Sequence, residues 1–274
     1  MEEFWPYIIE PSGQTGSNYW EYFAERLVQQ AIIPKDATIL DLGTYDGNVL
    51  FKAMRKMKAQ CYGVGADIYY GGFREGAPEV VGGGWEEKVS FVQMDAKNLG
   101  FLPKTFHNVL ANFIGWDDCF DFEYMKFTAP DKIMSEIMRV MRPGGQVGIG
   151  SWVEQSDIDW IIEAFKKYLP ESRNNISCYS KENPEGQRII LRNSGFKDIR
   201  VLVETTNFVS PDAEIWWRQM IHAANECYRQ ISDPNILESV KEQIFVDLQQ
   251  FQYSEGIRFS KTVSFVFGTK PHGN

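Results

Sequence analysis

Apolar residues recur along this chain with two alternating periods, one typical of helices and the other of strands. A helical period places Phe23, Leu27 and Ala31 on one face of a helix over residues 18–31. Short apolar runs, which are typical of buried strands, then occur at 39–42, 61–66, 89–94 and 108–112. This alternation of strand and helix predicts a mostly parallel sheet with helices on both faces.

The pattern continues through the second half of the chain. A helix is predicted at 131–141, ended by Arg142-Pro-Gly-Gly145, and a strand at 146–152. Beyond it, helices are predicted at 156–169, from Ser210-Pro211 onward and from Asp233-Pro234 onward, and strands at 197–208 and 262–267. We take Ser210 as the N-cap and Pro211 as part of the first turn of its helix. A helical hairpin therefore interrupts the chain between the last two strands.

One crossover departs from the alternation. Between Asp67 and Val89 the chain has six glycines and a proline. Each glycine inside a helix costs about 1 kcal/mol relative to alanine. The composition therefore predicts a short helix or an irregular loop there.

The segment from Thr38 to Leu50 reads as a strand, a glycine turn (Gly43 to Gly47) and the start of a helix. Such a junction forms a crevice at the carboxyl end of the strand, where α/β sheets bind ligands. Glycine allows the backbone to approach a ligand closely or to take a positive φ. The turn is acidic, with Asp41 before it and Asp46 inside it. Acidic residues would repel a pyrophosphate, but not a ligand that carries an ammonium and a sulfonium.

Composition narrows the class of protein further. The chain of 274 residues has a net charge of −9, which argues against a protein that mainly grips nucleic acid. Its four cysteines and three histidines are dispersed and show no zinc-ligand spacing. We find neither a signal-peptide pattern nor an apolar run of about eighteen residues, so we expect a cytoplasmic protein without membrane insertion.

Five motifs in order along the chain resemble those of the class I S-adenosylmethionine-dependent methyltransferases. They are Leu40-Asp-Leu-Gly-Thr-Tyr-Asp-Gly47, Tyr62-Gly-Val-Gly-Ala-Asp-Ile68, Val92-Gln-Met-Asp-Ala96, Val140-Met-Arg-Pro-Gly-Gly145 and Asn193-Ser-Gly-Phe196. The resemblance covers about residues 18–270 and is nearest to the small-molecule branch that includes quinone-biosynthesis enzymes. It implies a doubly wound, mostly parallel, seven-stranded Rossmann-like α/β sheet. Its last strand would be antiparallel, with the helical hairpin inserted before it.

The resemblance also implies roles for matching residues around S-adenosylmethionine and its product S-adenosylhomocysteine. The turn would lie under the methionine part of the cofactor, and Asp41 would help bind its ammonium group through water or backbone. Asp67 would accept both ribose hydroxyls, since a carboxylate offers only acceptors. The remaining implied cofactor-binding residues are Gly43 and Gly47 in the turn, Ile68 on the adenine, Asp95 and Ala96 at the adenine amino group, and Asn112 and Phe113 beside the methyl-donor site.

Several residues have a second interpretation. The family commonly has glycine at position 45, so Tyr45 puts close backbone approach in doubt and could cover the ligand instead. For Asp46, an N-cap of the following helix is favoured over a ligand role. His222 is a candidate proton acceptor, although a structural helix histidine is the simpler interpretation. Cys119 lacks neighbours that would favour a thiolate, so a nucleophilic role is not expected.

The sequence as a whole predicts methyl transfer to a small, partly apolar acceptor by direct in-line displacement. We expect one methyltransferase domain over 1–274, with an N-terminal cap (1–34) and a helical lid (210–257). Trp216 is assigned to the core and Trp217 to the pocket wall or surface. The other predicted wall residues are Trp5, Tyr7, Tyr19 and Trp20. Two alternatives stay open, a nicotinamide-dependent oxidoreductase and a non-catalytic ligand-binding or partner protein of the same fold.

Overall fold

The computed structural model describes residues 5–9, 15–168, 182–223 and 234–272. For residues 15, 222 and 223 the description covers the backbone alone. Contacts along the chain group it into two compact units. Unit 1 comprises residues 1–19, 153–181 and 204–262, and unit 2 comprises 20–152, 182–203 and 263–274.

Unit 2 contains the predicted strand and helix alternation. Its helices are α1 (Tyr19–Gln30, which begins one residue before the unit), α2 (Asn48–Lys56), α3 (Gly71–Gly82), α4 (Lys132–Val140) and α6 (Pro184–Asn193). Its strands are β3 (Ala37–Leu42), β4 (Cys61–Asp67), β5 (Val89–Gln93), β6 (Phe106–Asn112), β7 (Phe120–Asp121) and β8 (Lys126–Phe127). Three longer strands have residues in both units: β9 (Met141–Gln155), β10 (Lys197–Ser210) and β12 (Gly256–Thr269).

The strands of unit 2 follow the order β10-β12-β9-β6-β3-β4-β5. The pairs β3–β4, β3–β6, β4–β5 and β6–β9 are parallel. The last strand is antiparallel to β9, because Lys270 and the Gly144–Gly145 backbone exchange hydrogen bonds while Phe265 lies against Gly150 further along. This confirms the predicted fold class. The short hairpin β7–β8 and the helix α6 were not predicted.

The core of unit 2 lies between this sheet and its helices. Fully buried side chains include Leu40 on β3, Val109 on β6, Ile137 on α4 and Phe196 before β10. Parallel strands buried on both faces read as continuous apolar runs. That is why the sequence identified these strands readily.

The prediction for the crossover after Asp67 was wrong, because α3 is a regular helix of 12 residues with Pro78 inside it. Its glycines have a packing reason. A Cβ at Gly76 would lie 2.0 Å from the backbone oxygen of Asp46, and one at Gly72 would lie 2.5 Å from the carbonyl carbon of Tyr45. These two glycines are four residues apart, so they share the helix face that lies against the turn. The composition that argued against a helix is what lets α3 approach the turn this closely.

Unit 1 contains β1 (Tyr7–Ile9), β2 (Thr15–Asn18), α5 (Ser156–Tyr168), α7 (Ala213–Ala223), α8 (Pro234–Leu248), a 3₁₀ turn (Gln249–Phe251) and β11 (Gln252–Tyr253). The predicted insertion, 210–257, falls within this unit, whereas 1–34 is divided between the units. Their roles as lid and cap stay predictions. The start of α7 differs from the expectation: Asp212 accepts the backbone N–H of Ile215 at 2.7 Å and caps the helix, while Ser210 ends β10.

The core of unit 1 is aromatic. Trp216 is buried, as predicted, with its ring 5.7 Å from Phe259. The prediction for Trp217 was wrong, since this side chain is also buried and packs against Phe165 and Phe245. Both tryptophans can be buried because α7 is covered by apolar residues on more than one side. None of the described helices is both long and apolar enough to cross a membrane.

Candidate functional site

The turn after β3 is built from glycines in left-handed conformations. Gly43 has φ 73° and Gly47 has φ 94°, which are values that a side chain disfavours. The Gly43 N–H donates to the Ala66 oxygen at 2.8 Å, which ties the turn to β4. A Cβ at Gly43 would lie 2.2 Å from Cγ2 of Ile114, a residue of the loop after β6. Glycine is therefore needed at this position for packing as well as for backbone conformation.

Asp41 lies inside this turn. It is 1% exposed, and its Oδ2 accepts from the Thr44 hydroxyl at 2.6 Å and from the Leu50 N–H at 3.2 Å. Burial raises the pKa of Asp41 to about 7, against these two hydrogen bonds. The carboxyl group thus holds strand, turn and α2 together instead of facing an open groove.

Asp46 does not occupy the N-cap position that the sequence predicted for it. That position belongs to Gly47, which makes no side-chain hydrogen bond. Asp46 precedes it and accepts the Asn48 N–H at 3.2 Å, so its carboxylate still satisfies a donor of the first helical turn. The physical reason for the shift is the φ of 94° at residue 47, which glycine adopts readily.

Tyr45 takes a glycine-like conformation, with φ 46°. Its side chain is 45% exposed and its ring stacks on Tyr69, with centroids 6.2 Å apart and planes 13° apart. The backbone of the turn therefore keeps the course that glycine would give it. Whether the ring covers a ligand stays a prediction.

Asp67 ends β4 next to this turn. Its Oδ2 accepts the Tyr45 N–H at 2.9 Å and its Oδ1 accepts the Tyr69 N–H at 2.8 Å. The side chain is half-buried, and Ile68 after it is 67% exposed. Each carboxylate oxygen can accept more than one hydrogen bond, so this orientation leaves capacity for two hydroxyl donors.

Asp95 lies beyond the end of β5. The Met94 N–H donates to the backbone carbonyl oxygen of Asp67 at 2.8 Å, which places the ends of β4 and β5 side by side. Asp95 is exposed and its Oδ1 accepts the Lys97 N–H at 2.8 Å, as in a local aspartate turn. Ala96, the other predicted residue here, is half-buried against the core of unit 2.

The loop after β6 has an aromatic wall. Phe113 has φ 62°, donates its N–H to the Gly150 oxygen at 2.8 Å and stacks on Trp152 with centroids 4.0 Å apart. Trp20 meets the Phe113 ring edge-on at 5.5 Å. The Asn112 Oδ1 is buried without a hydrogen-bond partner, close to Gly150.

The structure brings most of the predicted cofactor residues to one edge of the sheet in unit 2. Gly43, Asp67, Asp95 and Asn112 follow or end the neighbouring parallel strands β3, β4, β5 and β6. Carboxyl ends of parallel strands meet at one edge. Asp41 belongs to the same edge but is enclosed. The predicted proton acceptor, His222, lies in α7 of unit 1, and its side chain is outside the described part of the chain.

Sequence reasoning missed two features of this edge. One is the close approach of α3 through Gly72 and Gly76. The other is the buried carboxylate of Glu182, which accepts the Trp116 N–H at 2.7 Å. A pair of glycines four residues apart could have indicated the first. No local signal marks Glu182, because its partner is 66 positions away.

Other reactive groups have no evident place in the site. Cys119 is buried, and burial raises the pKa of its thiol to about 12, which agrees with the expectation that it is not a nucleophile.

Among the described residues, no three His, Cys, Asp or Glu side chains are grouped to hold a metal ion. A depression of about 720 Å³ flanks α4, between Phe127 and Ser194, and none of the predicted cofactor residues lines it.

Comparison with known proteins finds similarity to methyltransferases. Residues 40–149 match a family model described as "Methyltransferase domain". Over 165 residues the chain is 27% identical to Methyltransferase GfsG of Streptomyces halstedii, a match that covers 59% of this chain and 53% of that protein. The chain thus matches only about half the length of this curated relative.

Solved structures show the same fold at low sequence identity. The YcgJ protein of Bacillus subtilis is 13% identical with a TM-score of 0.56, covering 92% of this chain and 100% of that one. Phosphoethanolamine N-methyltransferase 2 of Haemonchus contortus, solved with S-adenosylhomocysteine, is 20% identical with a TM-score of 0.50. In that comparison 93% of this chain and 53% of that chain are covered.

The sheet order and the glycine turn after β3 are those of the fold that these solved structures share, and the matched residues 40–149 include this turn. The part of the chain that matches is thus similar to methyltransferase domains, and the cofactor and activity that this similarity suggests are taken up below as a proposal. The residues at the sheet edge would fit S-adenosylmethionine, the cofactor that the family resemblance implies. The turn has no Cβ at Gly43 or Gly47, and Asp67 keeps acceptor capacity for two hydroxyls.

Proposed function

We propose that this enzyme transfers the methyl group of S-adenosylmethionine to a small, partly apolar acceptor by direct in-line displacement. The observation that carries the proposal is the orientation of Asp67. Two backbone N–H groups fix its carboxylate at the end of β4, beside the glycine turn and the exposed Ile68. A ribose with two adjacent hydroxyls matches this acceptor pair, and an adenine ring matches the apolar side chain that follows.

The other residues take supporting roles in this proposal. The Gly43 to Gly47 backbone lies under the methionine part, and Asp95 with the Ala96 backbone receives the adenine amino group. Asp41 acts through the turn that it holds, because its carboxylate is enclosed. Asn112 and Phe113 border the methyl-donor side, at the end of β6.

The acceptor class rests on the aromatic wall. Phe113, Trp152 and Trp20 are half-buried at the carboxyl ends of β6 and β9, where the reacting methyl would lie. Mostly apolar walls with a few polar groups are typical of small-molecule sites. The Asn112 side chain supplies a polar group there. The net charge of −9 argues against a nucleic-acid acceptor.

The chemistry needs little from the chain beyond position. Bound S-adenosylmethionine supplies a methyl group on a sulfonium, which is already a good leaving group. The enzyme then contributes orientation of the acceptor and exclusion of water, which are large effects when reacting atoms are held in line. His222 is retained as the proposed proton acceptor, and the quinone-biosynthesis branch as the proposed subfamily.

Calorimetric titration with S-adenosylmethionine and S-adenosylhomocysteine tests the proposal, on the wild type and on Asp67→Ala. Loss of charge-assisted hydrogen bonds to two hydroxyls should weaken both affinities about tenfold or more. Asp121→Ala is a matched control, because Asp121 accepts the N–H groups of Glu123 and Tyr124 in a local turn away from the predicted cofactor residues. Unchanged affinity in Asp67→Ala would refute the ribose assignment.

A further inference from the structure

Glu182, just before α6, is a buried carboxylate without a role in the reaction described so far. Glu182 is only 6% exposed. Its Oε1 accepts the Trp116 N–H at 2.7 Å, and its Oε2 accepts from Nε2 of Gln187 at 2.9 Å. Both donors are neutral. A carboxylate held in the interior by neutral donors is unfavourable, so its presence calls for an explanation.

The surroundings make the charge less favourable still. Burial raises the pKa of Glu182, and the nearby Asp117 carboxylate raises it further. The Ser151 hydroxyl favours the charged form, although it makes no hydrogen bond of normal geometry. The two hydrogen bonds from Trp116 and Gln187 act in the same direction as Ser151. The hydrogen bonds that Glu182 accepts from Trp116 and Gln187 therefore give the reason for a carboxyl group at this position.

Gln187 shows why a neutral amide would not serve at position 182. The Ser264 hydroxyl donates to Oε1 of Gln187 at 2.6 Å, and this bond orients the Gln187 amide so that its Nε2 faces Glu182. With the Gln187 amide in this orientation, residue 182 accepts on both of its oxygens, from Gln187 and from the Trp116 N–H. A glutamine there would point its NH₂ at one of these donors.

The bond to Trp116 fixes a strained loop. Between β6 and Trp116, Phe113 has φ 62° and Gly115 has φ 74°. A bulky residue with positive φ persists only where its surroundings hold it. The loop is tied at one end by the Phe113 N–H to the Gly150 oxygen, and at the other by the Trp116 N–H to Glu182.

We propose that Glu182 is a positioning residue for methyl transfer. Through the Trp116 N–H it holds the 113–116 loop, so that the Phe113 ring stays stacked on Trp152 beside the reacting methyl. The proposal rests on the proposed function, since it assigns the acceptor to this aromatic wall. Glu182 touches neither substrate nor cofactor in this role.

Exchanging the two side chains tests the proposal. In Glu182→Gln, two donors face each other, and in the double variant Glu182→Gln/Gln187→Glu the hydrogen-bond chain is restored with its direction reversed between residues 182 and 187. The new carboxylate at position 187 could then accept from both the new amide at position 182 and the Ser264 hydroxyl, while the amide oxygen at position 182 accepts the Trp116 N–H. The readouts are hydrogen exchange at the Trp116 amide, titration with S-adenosylhomocysteine, and the rate of transfer of labelled methyl to a panel of small phenols, amines and carboxylic acids.

We expect Glu182→Gln to speed exchange at Trp116 and to lower kcat about tenfold, with cofactor affinity within about twofold of wild type. The double variant should recover both slow exchange and turnover. Slow exchange and full turnover in the single variant would overturn the proposal. So would a folded double variant that recovers slow exchange but no turnover, since the carboxylate would then be needed at position 182 itself.

Failure of the proposed function would look different. A wild-type enzyme that binds the cofactor but methylates nothing in the panel would refute the acceptor class. The exchange data would still show whether Glu182 holds the loop. The single variant could instead lose global stability, cofactor affinity and turnover together, with none of them restored in the double variant. That result would give Glu182 a general folding role and contradict positioning.

Discussion

Two turns at the same edge of the sheet in unit 2 are held in different ways. The turn after β3 is fixed from within by Asp41, which binds Thr44 and Leu50, three and nine residues away, and from the neighbouring strand β4 by Ala66 and Asp67. The loop after β6 is fixed from a distance, by Gly150 and Glu182. In the proposed function the first turn positions the cofactor and the second faces the acceptor.

This difference suggests how the two halves of the site can vary. A turn held mainly by residues within it and on the next strand depends less on the rest of the chain, which suits a cofactor shared by a whole family. A loop held by distant residues changes shape when those residues change, which suits an acceptor that differs between family members. Substitutions in and around the first turn test this contrast between the two turns.

The largest effect is expected from Gly76→Ala, because the first turn and α3 are in contact backbone to backbone at this glycine. The new Cβ would lie 2.0 Å from the Asp46 backbone oxygen, which cannot move aside as a flexible side chain could. We expect the free energy of unfolding to fall by about 3 kcal/mol, as for strong overpacking. Urea denaturation followed by circular dichroism measures it.

Gly82→Ala is the matched control, at the last residue of the same helix. A Cβ there meets nothing within 4 Å, so the substitution should stabilise α3 by up to about 1 kcal/mol. If Gly76→Ala were as stable as Gly82→Ala, the close approach of α3 to the turn would have no energetic consequence. The first turn would then stand without α3.

The sequence predicted the locally encoded part of the molecule well. The strands of unit 2 and the glycine turn follow from apolar runs and from motifs within a few residues of each other, whereas the antiparallel last strand and the role of Asp67 were implied by the family resemblance. The α3 helix was missed because a propensity scale counts what glycine costs and not what it permits. Trp217 was misplaced because burial on several faces of α7 depends on α5 and α8.

The acceptor side was less accessible to sequence reasoning. Phe113 could be placed at the end of β6, but not its positive φ or its stacking on Trp152. Glu182 could not be found, since nothing near it in the sequence points to Trp116. Distant pairings of this kind are set by tertiary packing, which a local pattern does not contain.

A smaller effect is expected from the ionisation of Asp41, inside the first turn. In the folded enzyme the Asp41 carboxyl group keeps its proton up to about pH 7, because its pKa is raised to about 7. In the unfolded chain the same group loses its proton near its ordinary pKa of 3.8. The folded state thus binds more protons between these values, so stability contributed by the protonated form is lost as the pH rises. We expect a loss of up to about 1.4 kcal/mol between pH 5 and pH 6 from this group.

Asp41→Asn isolates that contribution, because asparagine does not titrate. Unfolding free energies measured at both pH values should fall less steeply in the variant than in the wild type. Asp46, Asp131 and Glu182 also have raised pKa values and leave a residual slope of the same sign. Identical slopes in the two proteins would mean that Asp41 is ionised in the fold, and that the turn is held by a charge.

The smallest effect is expected from Tyr45→Gly, which asks whether the first turn needs its side chain. Glycine adopts the φ of 46° without strain, which favours the variant, while the stack on Tyr69 is lost and the unfolded chain gains freedom. These contributions are similar in size, so the free energy of unfolding should stay within about 0.5 kcal/mol of wild type.

Thermal denaturation with and without S-adenosylhomocysteine measures both stability and the stabilisation by ligand. A loss above about 2 kcal/mol would show that the ring holds the turn from outside, and the contrast with the loop after β6 would disappear. Unchanged stability with weaker stabilisation by the ligand would instead indicate that Tyr45 covers the cofactor, and would make the first turn a locally encoded scaffold with one side chain reserved for binding.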